Sequence, residues 1–444
     1  MKAIQVPITD SQTRQTQTYD FVVEKTSVHV CVCVCVCVCV CVCVCVCVCV
    51  CVCVCVCACK QSRPLPLLPW QQSLSVGVSE VKARITNGGR GRRKLLWFST
   101  LFSHKWFVLQ LAVWALRGVT RVILANNPLS GAVMLLALYW ASPWQGLVGT
   151  VGLLTSTLIA VILGQDSAEV RGGLHGFNGM LVSLLMGAFN SAGDWYWWLL
   201  LPVCLGSATS VFFFSGLSQV LDRWDLPVAV FPFNMVIVLY FLCTGRDNPY
   251  FPHRLAVPPS TVPLNATALS ATEVLQGIPL GVGQIFACGS LGPSLLILAG
   301  LCLYSPLQAI HALLGSAIGT LAGLSVAVRH ECLCTGLSGF NGALGCMAVG
   351  GLFFTFNWRT HLDVFSSAFL SAFVDIALSN LLGAMGMPAC SWAATLSVTL
   401  LLLLTGTLST YRIPLARVKA PERNMRSRGR WEAGNTEERD STDV

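Results

Sequence analysis

Two short stretches hold the residues whose types and spacing could do chemistry. Residues 173–179 read GLHGFNG and residues 336–342 read GLSGFNG, matching at six of seven positions with an offset of 163 residues. Each carries a Gly-Phe-Asn-Gly core: Gly176-Phe177-Asn178-Gly179 and Gly339-Phe340-Asn341-Gly342. Glycine permits close backbone approach and sharp turns. A half-helix starting there would direct free N–H groups and a positive dipole end at the centre of the molecule. Phe177 and Phe340 are expected to face each other as a flat slot. Leu181 and Leu344, one helical turn later, would narrow it. Such a slot suits a small, planar, neutral solute and penalises a hydrated ion. The same rings also suit simple packing between two repeats, and spacing alone does not separate the two readings.

Catalysis has little support. The chain contains no His-Glu-x-x-His, no phosphate-binding loop and no Gly-x-Ser-x-Gly, so no enzyme, cofactor or metal centre is expected. Ion-coupled carriers place acids or histidines in mid-span, and Asp375 is the best candidate here. Asp166, Glu169 and Arg171 fall near a predicted span end, where they read as a solvated cluster. His311 opens a span and reads as an interfacial histidine.

The duplication extends beyond these motifs. The same offset carries Ser142-Pro143 onto Ser305-Pro306, Gln145 onto Gln308, Gly152 onto Gly315 and Thr157-Leu158 onto Thr320-Leu321. Duplicated hydrophobic halves are the usual build of transporters, with the solute path at the repeat interface. Of the 444 residues, 54% are hydrophobic and 11% charged. Soluble domains carry about 25% charged residues, and several apolar runs here reach the ~20 residues that span a bilayer. The expected fold class is an all-α polytopic membrane protein. Spans are predicted near 106–124, 129–142, 145–164, 195–217 and 227–244, then 274–288, 292–304, 307–328, 358–382 and 388–408. The glycine-rich pieces 172–190 and 335–354 read as re-entrant half-helices, tolerable only where protein or a cavity surrounds them. Ten transmembrane helices then form two inverted five-helix repeats, because an odd count per half reverses the second.

Charge fixes the expected orientation. Basic residues before the first span (Arg84, Arg90, Arg92, Arg93, Lys94) and after the last (Arg412, Arg417, Lys419, Arg423, Arg426, Arg428, Arg430) put both termini in the cytoplasm. The net charge of +8 therefore reads as anchoring, with no nucleic-acid partner expected. The domain plan is 1–94 as a low-complexity leader, 95–245 as repeat one, 246–272 as an extracellular loop, 273–410 as repeat two and 411–444 as a basic tail. The loop contains the sequon Asn265-Ala266-Thr267, reachable by glycosylation on that side. Fifteen of the 23 cysteines lie between Cys31 and Cys59 in near-strict Cys-Val alternation. Alternation is a strand signal and thiolates bind soft metals. A translated TG dinucleotide repeat yields the same pattern, and the segment is set aside from the fold. The other eight cysteines show no paired zinc spacing.

A series of ordered motifs then gives a resemblance. They are NNPLSG at 126–131, Ser142-Pro143-Trp144, Gln165-Asp166, GLHGFNGMLVSLLMGAF at 173–189, GDWYWWLLLPV at 193–203 and WDLPVAVFPFN at 224–234. The second half adds IPLGVGQIF at 278–286, YSPL at 304–307, HALLGSAIGTLAGLS at 311–325, GLSGFNGAL at 336–344, GGLFFTFNWRTHL at 350–362 and MPACSW at 387–392. Over roughly residues 95–420 the chain resembles the urea transporter family. The resemblance implies passive, channel-like urea transport across the plasma membrane. It implies a homotrimer in the lipid bilayer, with one pore per protomer.

The implied pore residues are Phe177, Phe340, Leu181 and Leu344, with Gln284 as a pore glutamine. The chain departs from the family pattern at three places. Arg121 stands where the first half usually has glutamine. Val230 replaces the pore threonine of an LPxxT motif, whose second-half partner keeps a hydroxyl on Ser391. The second-half NPxxG element reads GSLGPS at 289–294. Arginine cannot accept a hydrogen bond, so these changes carry an alternative: a non-conducting or altered-selectivity paralogue, passing another small neutral solute or acting as a regulatory subunit.

Overall fold

A computed structural model describes the backbone of residues 92–245, 248–252, 270–355, 358–404 and 411–425, with side chains from 107 onward except at 358–359. The Cys-Val stretch, the Asn265 sequon and Arg426, Arg428 and Arg430 lie outside the described residues. Those described belong to one compact unit, which is helical and contains no β-strand among them, only an isolated bridge between Phe354 and Arg412.

The helices repeat in order. In the first half these are α1 (Arg92–Arg121), α2 (Pro128–Ala141), α3 (Pro143–Ile162), α4 (Ser167–Arg171), α5 (Gly176–Phe189), α6 (Leu200–Leu221) and α7 (Phe231–Thr244). In the second they are α8 (Ala271–Gln284), α9 (Leu291–Tyr304), α10 (Pro306–Ser325), α11 (His330–Cys334), α12 (Phe340–Met347), α13 (Trp358–Ala384) and α14 (Trp392–Leu403). Every predicted span and both predicted half-helices coincide with a helix. The continuous stretches Pro143–Ile162, Trp197–Trp224, Pro306–Ser325 and Thr360–Ala384 are long and apolar enough to cross a bilayer, and shorter apolar helices accompany them.

Local chemistry starts the third helix of each half in the same way. α3 and α10 each begin with proline at the first position behind a serine cap. Ser142 Oγ accepts from Gln145 N at 3.2 Å, and Ser305 Oγ accepts from Gln308 N at 3.0 Å. Proline tolerates that position because its missing N–H would be unpaired anyway, and the serine satisfies one of the remaining donors. The turn before each half-helix needs glycine: Gly173 and Gly336 adopt φ of 75° and 80°. A Cβ on Gly336 would lie 2.8 Å from Gly277 O, so even a residue tolerant of that φ would not fit.

The halves differ at the ends of the half-helices. α5 runs 14 residues, whereas α12 stops after eight and passes into a π-turn at Ala348–Leu352, with Gly351 at φ 94°. Gly350 faces the ring of His311, which is buried at 4% exposure with Nδ1 2.7 Å from Leu307 O. His311 is therefore a packed, hydrogen-bonded residue within the fold.

α5 packs on α3 and α6, and α12 packs on α10 and α13. One apolar core cluster joins both halves, including Phe177, Leu181, Phe286 and Met347. Large apolar side chains such as Leu129, Trp140, Ile162, Leu205, Phe212 and Leu303 stay exposed on the outside. A soluble monomer rarely leaves so much apolar surface uncovered.

Candidate functional site

The Gly-Phe-Asn-Gly elements are built from the asparagines outward. Asn178 Nδ2 donates to Ala229 O at 3.2 Å, and its Oδ1 accepts from Phe233 N at 3.1 Å. Asn341 Nδ2 donates to Cys390 O at 3.0 Å, and its Oδ1 accepts from Ala394 N at 3.2 Å. Each asparagine thus ties a half-helix to the start of α7 or α14, at backbone that Ala229 and Cys390 hold at φ 48° and 51°. Gly176, Asn178, Gly339 and Asn341 are all buried. They position the neighbouring rings and stand behind the wall.

Phe177, Leu181, Phe340 and Leu344 line a single cavity of about 1500 Å³, together with Arg121, Gln284, Val230 and Ser391. All eight expected pore residues therefore converge on one space, four from each half. The cavity is mixed in character. Apolar side chains dominate, and Asn126, Glu169, Tyr304 and Asp375 add polar groups.

Arg121 and Gln284 occupy matched positions and make matched bonds. Arg121 Nε donates to Gly172 O at 2.9 Å, and Gln284 Nε2 donates to Thr335 O at 2.9 Å. The arginine therefore preserves the glutamine's structural bond. It cannot supply the acceptor oxygen that Gln284 retains. Among the described residues Arg121 forms no ion pair, as the four observed pairs involve other groups.

The helices α7 and α14 make the walls unequal. From the cap of α14 inward, Ser391, Thr395 and Thr399 recur every four residues and all line the cavity. Their protons are committed: Ser391 Oγ donates to Asn234 Oδ1 at 3.4 Å, Thr395 Oγ1 to Ser391 O at 2.7 Å and Thr399 Oγ1 to Thr395 O at 2.7 Å. A hydroxyl has one proton, so any further bond these groups make is as an acceptor. The facing first-half helix offers Val230 and Phe233 to the cavity. Sequence reasoning reached Ser391 and missed Thr395 and Thr399. Their four-residue spacing was the available signal, because it places hydroxyls on one helix face.

Asp375, the expected mid-span acid, is 5% exposed, lines the cavity and leaves Oδ1 without a hydrogen-bond partner. Of the predicted solvated cluster, Asp166 caps α4 by accepting from Ala168 N at 3.0 Å, and Arg171 donates to Ser167 O at 3.0 Å. Glu169 departs from that picture. It lies 3.3 Å from the buried His175 and faces the cavity.

Comparison with known proteins gives the family. The family model described as Urea transporter matches residues 112–406. Urea transporter 1 of Mus musculus is 41% identical over 329 residues, covering 74% of this chain and 86% of the relative. Urea transporter 1 of Ovis aries is 39% identical over 350 residues, covering 76% and 91%. With a duplicated helical frame, eight matched positions around one cavity and relatives aligned along most of their length, the chain belongs to the urea transporter family.

Proposed function

We propose that this chain is a facilitative urea channel of the plasma membrane, with the shared cavity as its path. The observation that carries this reading is the convergence of Phe177, Leu181, Phe340 and Leu344, two from each half, on one space with Gln284 and Ser391. Urea presents four N–H donors and one carbonyl. The Ser391–Thr395–Thr399 row offers acceptors to the former, and the amide of Gln284 or the guanidinium of Arg121 offers donors to the latter. Phe177 and Phe340 form the flat walls that admit a planar molecule and strip hydrated ions, whose desolvation is costly.

The membrane arrangement is part of the same proposal. Ten spans form two inverted repeats, 95–245 and 273–410, with α5 and α12 as the re-entrant elements. Both termini are cytoplasmic, the 246–272 loop is outside with Asn265 glycosylated, and three copies assemble as a homotrimer. The repeated order of helices and the paired turns support the two-repeat plan. The non-conducting alternative rested on Arg121 and Val230. The Arg121–Gly172 bond weighs against it, because the side chain is held at the turn as Gln284 is held in the other half.

Urea efflux from vesicles containing the protein tests the proposal. Efflux well above protein-free vesicles is expected, with at least a tenfold reduction in Leu344→Trp, which fills the slot. Equal efflux with and without the protein would overturn it.

A further inference from the structure

Away from the cavity, three donor side chains meet where α8 starts and α11 passes. Glu273 lies in the first turn of α8, and His330 and Cys334 are one turn apart on α11. Cys334 Sγ is 3.7 Å from Glu273 Oε2 and 3.7 Å from each ring nitrogen of His330. His330 Nε2 is 3.8 Å from Glu273 Oε2. One donor atom from each residue falls within 4.8 Å of the other two. A tetrahedral zinc ion, with Zn–S about 2.3 Å and Zn–N or Zn–O about 2.0–2.1 Å, separates its donors by about 3.3–3.6 Å. The donor atoms lie within about half an ångström of these separations, and because Sγ stands equally far from both His330 nitrogens, the ring must also turn to aim one lone pair at the ion.

We propose that Glu273, His330 and Cys334 form a three-ligand site for a divalent transition ion of the zinc class. A thiolate, an imidazole and a carboxylate suit Zn²⁺ and disfavour Ca²⁺ and Mg²⁺, which take oxygen sets. Glu273 is exposed and the other two are partly exposed, so the ion has an entry route and a fourth position open to water. The backbone beneath is rigid: a Cβ on Gly277 of α8 would lie 3.2 Å from the Leu333 carbonyl carbon and closer still to its oxygen. The same places in the first half hold Gln110, Ser167 and Arg171, which offer no such set. The site belongs to the second half alone.

The ion would act as a staple. It joins the start of α8 to the turn whose next residue, Thr335, accepts the bond from Gln284 at the other end of α8. None of the three ligands lines the cavity, and the proposal stands on its own geometry whatever the solute. An ordinary surface ion pair with a thiol nearby is the competing description.

Cobalt spectroscopy separates the two. The full-length chain, with the fifteen cysteines of 31–59 changed to serine so that they do not compete, is purified in detergent with a phosphine reductant and titrated with Co²⁺. The expected result is one high-affinity ion with a thiolate charge-transfer band and tetrahedral d–d absorption, displaced by Zn²⁺. Cys334→Ser should abolish the band, and His330→Gln and Glu273→Gln should each weaken binding at least about tenfold. Zn²⁺ should raise the Tm of the parent and leave that of Cys334→Ser unmoved. Urea efflux of the variants in metal-free buffer, equal to the parent's, checks that they fold. No thiolate band in the parent, or a band that survives Cys334→Ser, would overturn the site.

Discussion

Arg121 is the residue at which composition and geometry pull apart. Its identity marks it as a foreign charge in a path for neutral molecules. Its bond marks it as a substitute for glutamine, since Nε reaches Gly172 O at the same 2.9 Å that Gln284 Nε2 keeps to Thr335 O. The departure was legible in the sequence. The bond was not, because it joins residues 51 positions apart through a turn whose path depends on Gly173. Arg121→Gln should therefore leave stability nearly unchanged and urea efflux at or above the parent level. Arg121→Ala should lower stability by about 1–2 kcal/mol by leaving the Gly172 carbonyl without its partner, measured by thermal unfolding in detergent. A stable Arg121→Ala protein would show that the bond is incidental. The hydroxyl row teaches a related lesson. Ser391 came from a motif, whereas Thr395 and Thr399 required knowing that α14 turns that face inward.

At the scale of elements, patterning was strong and boundaries were weak. A helix stands at each apolar run, but caps and prolines set the ends: Ser305 and Pro306 start α10. The two glycine-rich pieces look alike in sequence and differ in structure, because Gly350 and Gly351 break the second one where the His311 ring packs. What both share is the asparagine clamp. Asn341 makes two bonds to α14 and its approach while fully buried. Asn341→Ala should cost about 2–4 kcal/mol, since two buried backbone groups lose partners, and should abolish efflux with it. Close packing at Gly342 gives a second test. A Cβ there would lie 2.5 Å from Gly315 O. Gly342→Ala must push α12 from α10, with an expected loss of about 1–3 kcal/mol from overpacking. Both losses are read from the same unfolding curves, and a neutral Gly342→Ala would mean that α12 is free to shift.

For the whole molecule, the tail makes contacts that local reading does not reach: residues 411–425 fold back onto the helices. Glu422 accepts from Ser305 Oγ at 2.7 Å and from Leu307 N at 3.1 Å, at the start of α10. Asn424 Nδ2 donates to Gly351 O at 2.8 Å, and Leu415, Val418, Lys419 and Arg423 line the cavity. These hydrogen bonds span 73 to 117 positions and have no local signature. Glu422→Gln should weaken the latch, and hydrogen exchange should quicken at 411–425 and at the Leu307 amide; unchanged exchange would mean that Glu422 does not hold the tail. Asp375 raises the remaining question at this scale, whether transport is coupled to an ion. One acid with an unpartnered oxygen among the described residues makes a poor relay for protons or Na⁺.

The central claim is that urea crosses passively between Phe177 and Phe340. Stopped-flow urea efflux from proteoliposomes of the full-length chain tests it directly, run with and without Na⁺ and pH gradients. A passive path predicts efflux well above protein-free vesicles and indifferent to both gradients. Efflux no faster than from protein-free vesicles, or efflux that appears only with a gradient, would contradict it.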